Sequence, residues 1–121
     1  MLDSGVPKGR RQTGQAGEDE ALAYLQKQGL TLVERNFHCR AGEIDLIMKD
    51  RDTLVFVEVR KRSKSHFGDA AASITRAKQL RLIKTAQWYL QKLGKMPACR
   101  FDAVALDNDR ITWLKNMIDG M

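Results

Sequence analysis

The 121 residues, 43% of them hydrophobic, suit a single domain that buries about two-thirds of the surface of its unfolded chain and folds without a disulfide or metal. The net charge is +6, and no apolar run approaches the roughly 20 residues that a membrane-spanning helix requires. No hydrophobic segment follows the basic residues near the N terminus, so we expect no secretory signal and a cytoplasmic protein. Cys39 and Cys99 lack the spacing of metal ligands, which favours two free thiols.

The first part of the chain predicts a flexible arm followed by a helix. Residues 1–14 are polar and rich in glycine and basic side chains, as is typical of an arm, and we place the domain at residues 15–121. From about Gln15 to Gln28, apolar residues at helical spacing predict an amphipathic helix that Gly29 ends. Glu18 lies in its predicted first turn and near its inner face. It is therefore either a surface acid that complements the helix dipole or part of a site.

Residues 42–60 predict a β-hairpin that carries carboxylates on largely apolar strands. Both arms alternate, and a two-residue loop at Arg51 and Asp52 fixes the register. The pairs on one face are wholly apolar: Ile44–Val59, Leu46–Val57 and Met48–Val55. The pairs on the other face are Glu43–Arg60, Asp45–Glu58 and Ile47–Phe56.

The strongest helical pattern follows a basic loop and runs from about Thr75 to Leu93, with Gly94 at its end. Its apolar positions are Leu80, Ile83, Leu90 and Leu93. Trp88 and Tyr89 are expected to pack in the core or at its rim rather than to serve as base-stacking platforms, because aromatic residues at helical spacing usually pack in this way.

Three more segments read as strands: residues 30–37, at a sheet edge, residues 99–106 and about 110–114. Because a long helix precedes residues 99–106, that strand can return parallel to an earlier one through a crossover. The element order α-β-β-β-α-β-β therefore predicts an α/β fold, a single domain with a mixed central sheet of about five strands flanked by helices.

The facing carboxylates of Asp45 and Glu58 are the first candidate site. Cross-strand partners have Cβ atoms roughly 5 Å apart, and like charges there are destabilising unless a cation lies between them. Mg²⁺ or Mn²⁺ accepts one or two carboxylates, keeps several waters and binds a substrate phosphate. Arg60, two residues beyond Glu58, shares its strand face and can offset charge on a phosphate. The pattern predicts a metal-dependent phosphodiesterase site.

Basic residues are concentrated in the second half of the chain. Residues 1–60 contain nine Lys/Arg and ten Asp/Glu, whereas residues 61–121 contain twelve and five. This asymmetry indicates an extended anionic partner, with nucleic acid favoured over a small metabolite. A basic helix face kept for solubility is the alternative. The candidates for contacts to a nucleic-acid backbone are Lys61, Arg62, Lys64, Arg76 and Lys78.

Four short motifs carry a resemblance to a known family: Gly17-Glu18, residues 42–47, residues 56–60 and Arg100-Phe101-Asp102. Through them, the chain from residue 13 to about residue 115 resembles the YraN-type family of uncharacterised bacterial proteins. That family is similar to the restriction-endonuclease-like superfamily, especially the archaeal Holliday junction resolvases. The resemblance implies a restriction-endonuclease-like fold and a DNA substrate, and a homodimer by analogy with the resolvases.

The superfamily signature is an acid, then Asp, then Glu-x-Lys. Matched position by position, it implies that Asp45 and Glu58 bind the metal, that Glu18 is the helix acid and that Arg60 replaces the usual lysine. Gln79 matches an auxiliary polar residue of some resolvases. Arginine stays charged and cannot act as a neutral base. Arg60 therefore either binds a phosphate or forms a structural ion pair with Glu43.

Three functions are compatible with these features. The first is a metal-dependent nuclease acting on DNA, with branched or damaged DNA as its substrate, whose catalytic residues Asp45, Glu58 and Glu18 bind the metal while Arg60 binds the phosphate. The second is a catalytically inactive nucleic-acid-binding module of the same fold. The third is a protein-interaction adaptor whose basic helix binds an acidic partner.

Overall fold

The computed structural model describes residues 10–62, 75–107 and 110–118. Its elements occur in the predicted order. They are α1 (Arg10–Lys27), β1 (Thr31–Cys39), β2 (Gly42–Asp50), β3 (Thr53–Arg62), α2 (Arg76–Leu93), β4 (Cys99–Asp107) and β5 (Arg110–Leu114). No helix among these residues is long and apolar enough to cross a membrane.

The five strands form one mixed sheet in the order β1-β2-β3-β4-β5. β3 and β4 are parallel, and every other neighbouring pair is antiparallel. The parallel pair requires a crossover, which α2 provides because it lies between the two strands in the chain. The predicted mixed sheet, with its first strand at an edge, is confirmed.

The β2–β3 hairpin has the predicted turn. Asp50 pairs with Thr53, and Arg51 in the loop between them takes a φ of 60°. The predicted pairs are observed as far as Leu46–Val57. The hairpin ladder ends there, so the predicted ladder partners beyond it are wrong: Asp45–Glu58, Ile44–Val59 and Glu43–Arg60.

Asp45 accounts for this break in the ladder. Its Oδ2 accepts a hydrogen bond from the backbone N–H of Val59 at 2.8 Å, in place of a strand carbonyl. The alternation of β2 also changes there, because Ile44 joins the core beneath α2 whereas Leu46 joins the core beneath α1. Ile44 and Val59 therefore pack on opposite faces of the sheet.

Each helix covers one face of the sheet. On the α1 face, Ala21 and Leu25 pack with apolar residues of β2, β3 and β4. On the α2 face, Tyr89 makes edge-to-face contacts with Phe37 and Phe56, whose ring centroids lie 5.3 and 6.1 Å away. Burial of these two apolar faces holds both helices in place.

Helix α1 begins at Arg10 rather than at about Gln15. Its acidic residues 18–20 consequently lie beyond the first turn, where the helix dipole has little effect. The part of the predicted arm that covers residues 1–9 lies outside the described residues.

Helix α2 has the predicted ends, but its buried face differs from the prediction. Thr75 Oγ1 accepts the backbone N–H of Lys78, and Gly94 ends the helix with a φ of 83°. Two of the predicted core positions are exposed, Leu80 by 49% and Leu93 by 38%. The buried residues of the helix are Thr85, Ala86, Tyr89 and Leu90.

Asp102 of β4 is a buried carboxylate with a structural role. It accepts hydrogen bonds from the guanidinium of Arg100, from Trp113 Nε1 at 2.9 Å and from the backbone N–H of Asn116 at 2.9 Å. Arg100 also reaches Asp50 of β2 at 3.1 Å. This network ties β4 to β2, to β5 and to the segment after β5, and it explains the Arg100-Phe101-Asp102 motif without catalysis.

Cys39 and Cys99 are free thiols, as predicted.

Candidate functional site

Asp45 and Glu58 come together where β2 separates from β3. The carboxylate of Asp45 is bonded to the backbone N–H of Val59, which is the residue next to Glu58. The two carboxylates are close enough for the charge of Glu58 to raise the pKa of Asp45. The predicted pair of acids is therefore present, although a side-chain-to-backbone hydrogen bond brings it about rather than the predicted register.

Asp45 is the most perturbed carboxyl group of this site. Burial raises its pKa to about 8, from an ordinary value of 3.8, and the charge of Glu58 adds to that effect. The hydrogen bond from Val59 opposes the shift, whereas Glu18 and Glu43 reinforce it. Three carboxylates from α1, β2 and β3 thus raise the pKa of Asp45, and a cation beside Asp45 would lower it again.

Glu58 is partly buried, and basic side chains compensate part of its charge. Burial raises its pKa, and Arg60 and Lys78 lower it. Arg60 Nη1 lies 3.0 Å from Glu58 Oε2, so these two residues of one strand form an ion pair. Arg60 therefore reaches the candidate site, where it contacts one of the two predicted metal ligands.

Glu18 is held against the site by β1. Asn36 Nδ2 donates to Glu18 Oε1 at 2.9 Å, and Arg35 Nη2 lies 3.6 Å from the same oxygen. Asn36 has a φ of 51°, an uncommon value that asparagine tolerates better than most residues. Glu18 thus bonds to β1, and its charge helps to raise the pKa of Asp45.

A cavity of about 110 Å³ opens beside Glu58. Its lining residues are Gly42, Glu43, Glu58, Lys78, Arg81 and Leu82. Gly42 has a φ of 155°, and a Cβ there would lie 2.9 Å from Thr85 Oγ1. Glycine thus lets β2 approach α2 closely, which brings the basic first turns of α2 next to the acids.

The other predicted nucleic-acid contacts that the structure describes lie on β3 and in the first turn of α2. Lys61 is exposed on β3, and Arg76 is exposed in the first turn of α2, where its Nη1 donates to Gln79 Oε1 at 3.3 Å. Arg62 is the last residue of β3. Lys64 lies outside the described residues.

The protein residues fit a hard divalent cation that takes two carboxylates. Among residues 10–62, 75–107 and 110–118, no group of three His, Cys, Asp or Glu side chains is arranged to hold a metal ion. Asp45 and Glu58 supply two carboxylates. The pKa of each is raised, and a cation bound beside them would lower both pKa values. Mg²⁺ is commonly bound by one or two carboxylates, with water and substrate phosphate completing its shell.

Sequence reasoning missed Asn36 and Arg81. Arg81 follows Lys78 by three residues, so helical spacing alone places both on the same side of α2. Asn36 carried no such signal, because its contact with Glu18 joins residues 18 positions apart in the chain.

The comparison with known proteins places the chain in a family. The model of the uncharacterised protein family UPF0102 matches residues 17–106. A UPF0102 protein of Herminiimonas arsenicoxydans is 60% identical over 114 residues, which cover 93% of this chain and 92% of that protein. One from Janthinobacterium sp. (strain Marseille) is 63% identical over 106 residues, covering 88% and 86%. The chain therefore belongs to the UPF0102 family.

Proposed function

We propose that this protein is a metal-dependent nuclease of restriction-endonuclease-like fold that cuts DNA, with branched or damaged DNA as its substrate. The observation that carries the proposal is the half-buried pair Asp45 and Glu58, whose pKa values are both raised, next to basic side chains. A structural ion-pair network would match each acid with a base. Here the charged groups that most affect the pKa of Asp45 are, within the described part of the chain, all carboxylates, and the lack of a matching base among them favours a bound cation.

Asp45 and Glu58 would hold Mg²⁺ or Mn²⁺, which supplies Lewis-acid polarisation of a phosphate and of its attacking water. Glu18, fixed by Asn36, adds negative charge behind this pair. Lys78 and Arg81 line the cavity on its α2 side and would bind the phosphates that flank the cut. Helix α2 contains no acidic residue, so its whole length attracts a polyanion.

The chemistry of Arg60 suits phosphate binding but not proton transfer. Since it stays charged, it cannot accept a proton from water, but its guanidinium can bind a phosphate with two hydrogen bonds. In the structure it is paired with Glu58 at 3.0 Å. Metal binding at Glu58 would compete with that ion pair, and a phosphate bound at the metal would lie within reach of the Arg60 guanidinium. The similarity to resolvases extends this proposal to a homodimer.

The Arg60–Glu58 ion pair also favours a second candidate function. If it persists when DNA binds, the carboxylate needed for the metal stays neutralised, and the protein is a nucleic-acid-binding module without turnover. The two candidates share their DNA surface and differ only in whether Glu58 takes a metal ion.

A cleavage assay tests the proposal. The purified protein is incubated with supercoiled plasmid and synthetic four-way junctions in Mg²⁺ or Mn²⁺, beside Glu58→Gln and Asp52→Asn. Asp52 is an exposed carboxylate in the β2–β3 turn and serves as a matched control. We expect cleavage by the wild type and by Asp52→Asn, and a loss of at least about 100-fold in Glu58→Gln.

Binding is measured on the same substrates in EDTA at several salt concentrations. Contacts to Z phosphates give a slope of log K against log salt near −0.9Z, and Glu58→Gln should bind as well as the wild type. DNA binding without cleavage supports the inactive module. Cleavage that survives in Glu58→Gln contradicts the assigned site, and binding that is absent or insensitive to salt contradicts both candidates.

A further inference from the structure

A second and larger cavity lies further along α2 than the cavity beside Glu58. It has a volume of about 630 Å³, within the usual range for small-molecule sites. The turn between β1 and β2 forms one wall, and α2 with the segment after it forms the other. The side chains that give it its chemistry are Arg40, Lys84, Gln87, Trp88, Gln91 and Met96.

Two large apolar side chains of this cavity are exposed to solvent. Trp88 is 46% exposed and Met96 is 79% exposed, although both side chains are large and apolar. The neighbouring Tyr89 is buried in the core, so the helix presents one aromatic residue inward and the next one outward. The sequence predicted that Trp88 packs in the core or at its rim, and the structure places it, 46% exposed, in the wall of a cavity that the buried Leu90 also lines. An exposed tryptophan ring is a ready surface for stacking.

The charges around Trp88 favour an anionic ligand. Arg40 and Lys84 line the cavity, and among the described residues no acidic side chain does. The same helix contributes Arg81 and Lys78 to the carboxylate site, so the cations continue along one side of α2. An acidic or apolar protein segment would match either the charges or the tryptophan. A nucleotide matches both, because it carries a phosphate and a base with two flat faces.

The two cavities adjoin each other along α2. Gly42 lines the smaller cavity and Ala41 lines the larger one, and on α2 Arg81 and Lys84 are one turn apart. From Lys78 to Trp88 the helix rises by ~15 Å, about the rise of four nucleotides of B-form DNA. A strand bound at the carboxylate site therefore reaches Trp88 within a few nucleotides.

We propose that this groove, defined by Arg40, Lys84, Trp88 and Met96, binds an unpaired nucleotide a few positions from the carboxylate site. The base stacks on the ring of Trp88, Arg40 and Lys84 bind its phosphates, and the amides of Gln87 and Gln91 are available to its edge. Every base has a flat face, so this contact tolerates many sequences. The inference rests on the nucleic-acid binding proposed above and specifies its substrate as DNA in which duplex adjoins a single-stranded segment.

The test compares two labelled DNAs in EDTA: a blunt duplex and the same duplex with a tail of about ten unpaired thymidines. The proteins are the wild type, Trp88→Ala, Trp88→Phe and Leu80→Ala. Leu80 is an exposed apolar residue of the same helix that does not line the cavity, so it controls for loss of exposed apolar area. Because Trp88 is half exposed, its replacement should leave the fold intact.

We expect the wild type to prefer the tailed duplex, and Trp88→Ala to lose about tenfold in affinity for it while its affinity for the blunt duplex stays within about twofold. Trp88→Phe should keep most of the preference, and Leu80→Ala should keep all of it. The tail should also quench the tryptophan fluorescence of the wild type but not that of Trp88→Phe, which retains Trp113.

Equal binding of both DNAs by the wild type, or equal losses on both in Trp88→Ala, overturns the unpaired-base site while the proposed nuclease function stands. A wild type that binds neither DNA overturns both. A wild type that cuts DNA normally but shows no quenching by the tail also overturns the inference alone.

Discussion

Replacing Asp45 by Asn should stabilise the metal-free protein at pH 8. The carboxyl of Asp45 is half-buried among carboxylates, and its pKa is raised from 3.8 to about 8. An asparagine has nearly the same shape, and its Oδ1 can still accept the hydrogen bond from Val59. It carries no charge at any pH, so Asp45→Asn removes the electrostatic cost and keeps the geometry.

The sign follows from proton binding. In the unfolded chain Asp45 loses its proton near pH 4, whereas in the folded protein it holds the proton until about pH 8. Between these values the folded state binds more protons, so the stability of the wild type falls as the pH rises through this window. Each tenfold change in proton affinity is worth about 1.4 kcal/mol, which sets an upper limit of roughly 6 kcal/mol. Because Asp45 is partly exposed and coupled to Glu58, we expect about 2 kcal/mol at pH 8.

The assay is urea unfolding in EDTA at several pH values between 4 and 8, with Asp52→Asn as the exposed control. The stability difference between Asp45→Asn and the wild type should grow by about 2 kcal/mol from pH 4 to pH 8, equivalent to roughly 8 °C in Tm. Asp52→Asn should track the wild type throughout. A difference that does not change with pH, or a loss of stability in Asp45→Asn that grows toward pH 8, would refute the electrostatic reasoning.

Two further predictions concern residues that hold strands and helices in place. Asp102→Asn should lose about 3 kcal/mol of stability in urea unfolding, because its amide would face the guanidinium of Arg100 inside a buried network; a change within about 0.5 kcal/mol would contradict that role. Gly42→Ala should cost about 2 kcal/mol more than Gly29→Ala by the same measurement. Both glycines have positive φ, but a Cβ at Gly42 meets Thr85 Oγ1 at 2.9 Å and a Cβ at Gly29 meets open space. Equal losses in the two variants would show that the close approach to α2 is unimportant.

The fold could be predicted where local chemistry decides it. The alternation of residues 42–60 and the loop at Arg51 fix the hairpin register as far as Leu46–Val57, because a slip of one residue would expose every apolar side chain. The prediction failed beyond Leu46, where a side chain replaces a backbone acceptor. Alternation cannot reveal that Asp45 bonds to the N–H of Val59.

The buried face of α2 shows a similar limit. Leu80 and Leu93 follow a helical spacing but point away from the sheet, whereas the polar Thr85 is buried. Thr85 is tolerated there because its hydroxyl donates to the carbonyl oxygen of Arg81 one turn earlier. Apolar spacing identifies a helix reliably, but contacts with the sheet decide which of two neighbouring faces is covered.

Some residues of the candidate site could be predicted from the sequence, and others could not. Asp45, Glu58 and Arg60 stand on adjacent arms of one hairpin, so sequence alone brings them together. Asn36 and Arg81 enter through packing of β1 and α2, which depends on residues far apart in the chain. Residue type and spacing therefore predict the acids, and tertiary structure is needed for the groups that orient and compensate them.

The central claim is that Asp45 and Glu58 form one metal site. Calorimetric titration of the DNA-free protein with Mn²⁺ at pH 7, in buffers of different ionisation enthalpy, tests it most directly. We expect about one Mn²⁺ to bind per chain. Binding should release close to one proton, because the pKa of Asp45 lies near 8 before the metal binds. Glu58→Gln should weaken binding by roughly 100-fold, and Asp52→Asn should leave it unchanged. A wild type that binds no Mn²⁺, or a Glu58→Gln variant that binds it equally well, would contradict the account.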